Sequence, residues 1–399
     1  MEETDSPTES PLDNAFNLPI EIILLIFEWA VSVPSALHHN YGSYFDFIRS
    51  EFGQPQRARE ASKHKLALCL VCKRWNLIAR KIIFHQLHIS SASQMEALRD
   101  ALIRLPLEDR NSTKRLDLEW EREAGSMVFS SVPPETMLVF LEILALLPSL
   151  EILYLPISFD IRGTTYPRLI SRYLPNLKRL KFAYWDRQRD VSPTPAFLTH
   201  PGLLSYHGFW STGVEVVPEP PIYSASLTLL SLVLPGDLPP RLTFPALKCL
   251  GLAGLGPFHS GLLQFLDVHG PKLFALSLGT SSGPLTGGQL EKDILYRCPN
   301  LQELLLYDPA CLGTLSQSYP TIIRLGINQQ SPVGLLSGPL NDVLDLNHFP
   351  KIHTIRLTVI EYRSLPGEET KAMVAGYVSP RGSLRFEDAL GIAIPVSTS

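Results

Sequence analysis

The sequence predicts an α/β chain: a helical N-terminal unit, then a curved solenoid of parallel strands with helices or loops on its convex side. Three observations carry this. A short phrase recurs along residues 148–357: proline, one residue, leucine, two residues, leucine, one residue, leucine. The stretches between its copies have helical apolar spacing or are rich in proline. Ahead of the first clear copy, residues 17–31 and 62–84 form two long apolar runs of helical period.

The phrase reads PSLEILYL (148–155), PNLKRLKF (175–182), PGLLSYHG (201–208), PALKCLGL (245–252), PKLFALSL (271–278), PNLQELLL (299–306), PTIIRLGI (320–327) and PKIHTIRL (350–357). SLTLLSL (226–232) keeps the leucines without the proline, and TKRLDL (113–118) is a degenerate first copy. Starts are spaced by roughly 20 to 37 residues, the period of leucine-rich repeats. Alternate residues of a strand face opposite ways, so the leucines turn inward and stack on those of neighbouring repeats. No repeat buries its face alone, so the stack is the folding unit. Proline lacks an amide proton, so it marks the end of the convex segment before the strand begins. Between the copies, PETMLVFLEILALL (134–147), PFHSGLLQFLDVHG (257–270) and GGQLEKDILYR (287–297) have helical spacing, whereas 209–225 with its VPEPP is expected to be irregular.

A curved parallel sheet offers a concave surface, lined by the residues between the leucines. Tyr154, Arg179, Lys181, His207, Glu303, Tyr307 and Arg356 are the candidate substrate-binding residues there. Ser205 and Thr358 share the face, and Trp185, Phe209 and Trp210 lie just past their strands. Aromatic and charged side chains in this mixture suit a protein-binding face.

In the N-terminal unit, NLPIEIILLIFEWAV (17–31) reads as a helix with Pro19 in its first turn. Ile22, Ile26 and Trp29 form one stripe, and Ile23, Phe27 and Ala30 form an adjacent one. Such a helix needs burial on two sides, against its own unit and against a partner. SKHKLALCLVCKRWNLIARKIIF (62–84) reads as a second helix with Ser62 as N-cap. Its apolar stripe is Leu68, Val71, Trp75 and Ile78, widened by Leu66, Cys69 and Cys72; Lys63, Lys65, Lys73, Arg74, Arg80 and Lys81 cluster on the remaining surface.

These two stretches resemble an F-box. Leu18, Pro19, Glu21, Ile22, Ile26 and Phe27 match its first half, and Leu68, Val71, Cys72, Trp75 and Ile78 match its second, with VCKRW the most specific part. KIIFHQLHI (81–89) is similar to the segment that follows the F-box in fungal, mushroom-type F-box proteins with irregular leucine-rich repeats. The resemblance covers about 70 residues by motif and the whole chain by architecture. F-box halves are normally joined by a short loop; here an insertion of about residues 31–61 separates them, either as a surface loop or as a modifier of the partner surface.

The resemblance implies a substrate-recognition subunit of a Skp–cullin–F-box type ubiquitin ligase. The F-box would dock on a Skp-family adaptor, and through it on a cullin–RING ligase, while the repeats hold a protein substrate. The adaptor-facing candidates are Leu18, Pro19, Ile22, Ile26, Phe27, Val71, Cys72 and Trp75, some of which must form the unit's own core. The alternative is a leucine-rich-repeat scaffold without a ligase role. The expected organisation is an acidic tail at 1–15, the helical unit at 16–90, the solenoid at 91–360 and a cap or tail at 361–399, with a short helix at 367–378.

Composition argues against other classes. Net charge is −4 with a pI near 6.3, which gives no general pull toward nucleic acid or acidic membranes. The basic cluster at 57–81 is local and lacks interleaved aromatics. Five scattered cysteines (69, 72, 249, 298, 311) form no disulfide framework and fit a reducing compartment. MEETDSPTESPLDNAF lacks the basic start and apolar run of a signal peptide, and no apolar stretch suits a membrane span, so an intracellular location, cytoplasmic or nuclear, is expected. Cys69-Leu-Val-Cys72 has no second pair, His38, His39, His85 and His88 have no carboxylate pattern, and Gly283 and Gly288 lack the Lys and Ser/Thr of a phosphate loop. No GxSxG or HExxH occurs. Neither metal, cofactor nor enzymatic activity is expected.

Overall fold

A computed structural model describes residues 18–31, 37, 41, 43–118, 134–155, 165–182, 197–209, 221–234, 238, 241–255, 260–280, 289–307, 312, 315–329, 346–359, 384–388 and 393–394. The expected acidic tail, the helix at 367–378, Trp185, Trp210, His38, His39, Gly283, Gly288, Cys311 and most of the 209–225 stretch lie outside them.

Every copy of the phrase places a strand in one parallel sheet of twelve. In chain order these are β1 Gln86–Ile89, β2 Arg115–Leu118, β3 Ile152–Leu155, β4 Arg179–Phe182, β5 Ser205–Phe209, β7 Leu229–Val233, β9 Cys249–Leu255, β10 Ala275–Thr280, β11 Glu303–Leu306, β12 Arg324–Gln329, β13 Thr354–Val359 and β14 Arg385–Glu387. Each pairs with its neighbours in that order, while β6 Ile222–Tyr223 and β8 Leu242–Thr243 pair separately. This is the arrangement of a leucine-rich-repeat solenoid. β1 belongs to the sheet although it precedes residue 90, where the sequence suggests a boundary, and β14 adds a strand that the phrase does not mark.

The register explains the leucines. Leu116, Leu153, Leu180, Tyr206, Leu230, Leu250, Leu276, Leu304, Leu325, Ile355 and Phe386 align strand to strand, each nearly inaccessible to water. The proline has a more local role than marking a boundary. In all eight copies it is the second residue of a tight turn, closed by the amide of the phrase's first apolar residue on the carbonyl before the proline; Leu301 N donating to Cys298 O at 3.1 Å is one case. Proline pre-sets the backbone angle which that turn position needs. The turns are also tied from repeat to repeat, by Asn176 Nδ2 to Pro148 O at 3.0 Å and Asn300 Nδ2 to Pro271 O at 2.8 Å.

On the convex side lie the helices Pro134–Leu146 and Ser260–His269, as their spacing predicts. The GGQLEKDILYR stretch is instead a π turn, Leu290–Ile294, running into a 3₁₀ turn, Leu295–Arg297. Leu290, Ile294 and Leu295 are all buried in the solenoid core, so packing overrides the α-helical spacing.

Among the described residues the N-terminal unit has three helices: α1 Ile20–Val31, α2 Tyr44–Val71 and α3 Lys73–Ile83. Its second helix departs from expectation. Ser62 lies inside α2, and the N-cap is Ser43, whose Oγ accepts from the amides of Phe45 (3.1 Å) and Asp46 (3.4 Å). Most of the insertion is therefore helix, which lengthens α2 toward its N-terminus. The run then breaks at Cys72, in extended backbone, whose Sγ accepts from Trp75 N at 3.4 Å and so caps α3.

Lys65 also departs from the solvated face expected of it. It is 6% exposed beside β1, where its Nζ donates to Gln86 O at 3.4 Å. Burial pulls its ammonium down to about 8 from an ordinary 10.5, against the pull of Asp117. The unfolded chain therefore holds the extra proton between those values, so stability rises with pH across that window, and at pH 7 the fold carries the whole cost. Lys65→Met is expected to gain about 2 kcal/mol at pH 7 and to flatten that rise. Urea titrations of both chains from pH 7 to 10.5 check it.

Candidate functional site

Two surfaces stand out, one on the helical unit and one in the concave groove. The helical unit has its own small core of Ile23, Phe27, Ile78, Ala79 and Ile82, with Trp75 packed against it. Phe27 and Trp75 meet edge to face at 4.9 Å. Phe27 is 1% exposed, so it holds the unit together and offers nothing to a partner; its assignment to the adaptor face is corrected.

The other stripe of α1 faces water. Trp29 is 81% exposed, and Leu18, Ile20, Ile22, Leu25 and Ile26 are all between 41% and 52% exposed. On α2, Leu66, Leu70 and Val71 are exposed as well. Pro19 and Cys72 are exposed, while Trp75 is half-buried. Six of the eight adaptor-facing candidates thus lie open, and the sequence reading omits Leu25 and Leu70.

The concave groove is occupied by the chain itself. Tyr41 and residues 43–47, at the start of α2, lie along its floor. Tyr41, Tyr44 and Phe47 form an apolar cluster with Leu229, Cys249, Ala275 and Leu305 of β7 to β11, distinct from the solenoid core. Phe45 lies beside them, 1% exposed. The middle of the floor is built of small residues: Ser231, Gly251, Ser277 and Gly326 follow one another in register, interrupted only by Leu305. A Cβ on Gly251 would overlap the Tyr44 hydroxyl, so glycine is needed for the approach.

Polar groups hold the segment at both ends. Glu303 Oε2 accepts from Ser43 Oγ at 2.8 Å and Tyr44 N at 3.0 Å, which sets a carboxylate against the positive end of a 28-residue helix. Arg324 Nη1 reaches the other oxygen of Glu303 at 2.9 Å. Burial pushes the Glu303 carboxyl above its usual range, opposed by Ser43 and Arg324. Arg356 Nη1 donates to Phe45 O at 2.8 Å, its guanidinium lies 4.8 Å from the Phe45 ring centre, and Glu387 holds it from behind. Arg179 donates to the Tyr41 hydroxyl and lies 4.8 Å from that ring. The Tyr44 hydroxyl sits 3.3 Å from Ser231 Oγ, and burial raises its phenol above the usual range.

All seven substrate-binding candidates therefore lie on or beside the concave face, but not as one open surface. Arg179, Glu303 and Arg356 are covered by Tyr41 and residues 43–47. His207 is half-buried, with Nδ1 2.9 Å from Ser231 Oγ and its ring 5.8 Å from Phe47. Tyr307 packs against the aromatic cluster. Tyr154 and Lys181 stay half-exposed toward the N-terminal end, with Lys181 Nζ 4.6 Å from the Tyr154 ring centre. Sequence reasoning missed Tyr41, Ser43, Tyr44, Phe45 and Phe47. Glycine and serine at concave strand positions were the available signal, since they ask what approaches so closely.

Among the described residues no cluster of three or more His, Cys, Asp or Glu side chains could hold a metal ion, and no helix is long and apolar enough to cross a membrane. No protein-family model matches the chain, and no curated protein matches it. Among solved structures it is similar to the leucine-rich repeat-containing protein LegL7 from Legionella pneumophila, with 17% identity, coverage of 79% of this chain and 89% of that one, and a TM-score of 0.38. A likeness of that degree carries no argument about activity; the solenoid rests on the chain's own repeats and register.

Proposed function

We propose that the chain is the substrate-recognition subunit of a Skp–cullin–F-box type ubiquitin ligase. Its helical unit docks on a Skp-family adaptor, and its solenoid holds a protein substrate. The observation that supports this is the apolar stripe of α1. Ile23 and Phe27 already fill the unit's core, yet Ile22, Leu25, Ile26 and Trp29 stand in water along one side of α1, and Leu70 and Val71 of α2 are exposed as well. Large apolar and aromatic side chains gathered on one face of a small unit suit a partner surface. Chemistry would then be done by another subunit, and this chain would contribute proximity.

A scaffold without a ligase role is the second reading. The filled concave groove favours it, because part of the expected substrate surface is already used within the chain.

Co-expression of the full chain with a Skp-family adaptor, followed by pull-down, tests the proposal. A stoichiometric complex is expected with wild type. Ile26→Glu is expected to weaken it by about a hundredfold while changing stability by less than about 0.5 kcal/mol, since Ile26 is exposed. Failure of wild type to bind moves the account to the scaffold.

A further inference from the structure

We infer that the concave groove is a binding site for a helix-initiating aromatic segment of a partner protein, and that Tyr41 and residues 43–47 occupy it in cis. The contacts are the first argument. Glu303 takes a backbone amide and a capping hydroxyl, and Arg356 takes a backbone carbonyl. Any segment that starts a helix with a serine or threonine cap presents the same atoms. The floor supplies the second argument. Ser231, Gly251 and Gly326 leave a trough that admits aromatic rings, the shape filled by Tyr44 and Phe45. The ligand class is thus a peptide with Ser or Thr at the cap, aromatic residues at the next two positions and one two residues before it.

The charges argue that occupancy is exchangeable. Arg179, Glu303 and Arg356 lie buried beneath the segment, where each loses hydration. A permanent joint gains more from an apolar floor of the same shape. Charged groups suit a floor that also meets water. The aromatic cluster is moreover separate from both the solenoid core and the helical core, so the segment can leave without opening either. Such a segment in cis sets the threshold that a partner must exceed.

The inference takes from the proposed function only that the solenoid binds protein. Adaptor pull-down reads the α1 face and peptide binding reads the groove, so one can fail without the other. The test is fluorescence anisotropy with a labelled peptide of residues 41–50, YGSYFDFIRS, and the full-length chain. The Tyr44→Ala/Phe45→Ala chain is expected to bind it about tenfold or more tightly than wild type does, and Gly251→Val added to that chain is expected to abolish binding. No binding by a double variant that keeps its melting transition overturns the inference, as does binding that Gly251→Val leaves unchanged. If the double variant does not fold, hydrogen exchange of wild type under excess unlabelled peptide decides. Faster uptake at residues 41–47 with unchanged strands supports exchange, and unchanged uptake at 41–47 overturns it.

Discussion

Leu250→Ala is expected to lower the unfolding free energy by about 3–5 kcal/mol, the upper range for a buried leucine. Leu250 is fully buried in β9, near the middle of the sheet, with Leu230 and Leu276 beside it in register. Strands to either side fix its backbone, so the site has little freedom to collapse around the lost methyl groups. A solenoid passes stability between nearest neighbours, so a central defect weakens two interfaces at once. The midpoint of urea unfolding measures it, with Leu138→Ala as the comparison. Leu138 is 61% exposed and is expected to change stability by less than about 0.5 kcal/mol. Equal effects at the two positions would contradict the assigned register.

Glu387→Ala is expected to cost about 3–5 kcal/mol, for a different reason. Its Oε2 accepts from Arg356 Nε at 3.0 Å and Nη2 at 2.7 Å, and both side chains are nearly buried, at 8% and 10% exposure. Removing the carboxylate leaves a guanidinium under Phe45 without its counterion. Adding Arg356→Met removes the stranded charge and is expected to recover most of the loss, although the bond to Phe45 O goes with it. A double-mutant cycle by thermal or urea unfolding reads both steps. Lack of recovery would mean that Glu387 acts through packing.

The solenoid was legible because its signal is repeated. A leucine that must meet the leucine of the next repeat writes its constraint into every copy, so the long sheet's strands from β3 to β13 could be placed from the phrase and its leucine-only variant, and β2 from its degenerate copy, whereas the separate pair β6 and β8 carries no copy. β1 and β14 were harder, since QLHI and RFE each satisfy one neighbour and carry no proline turn. The exposed stripe was legible as a second apolar face on α1, but sequence alone could not separate Phe27, which closes the core, from Ile26, which faces water. The filled groove was not legible. Its hydrogen bonds join residues from 138 to 311 positions apart, as in Tyr41 with Arg179 and Phe45 with Arg356, and no periodicity records them. Ser62 looked like a helix start because the insertion was read as a break, whereas Ser43 is the cap that Glu303 also engages.

The central claim is that one chain carries two binding faces, an apolar one open on α1 and a concave one filled from within. Hydrogen exchange of the full chain, with and without a Skp-family adaptor, reads both at once. The account predicts that the amides of Tyr44–Phe47 exchange far more slowly than in the free 41–50 peptide even without adaptor. It also predicts that α1 slows further when the adaptor is added, while β7 to β11 do not change. Peptide-like exchange at Tyr44–Phe47, or an α1 indifferent to the adaptor, would contradict it.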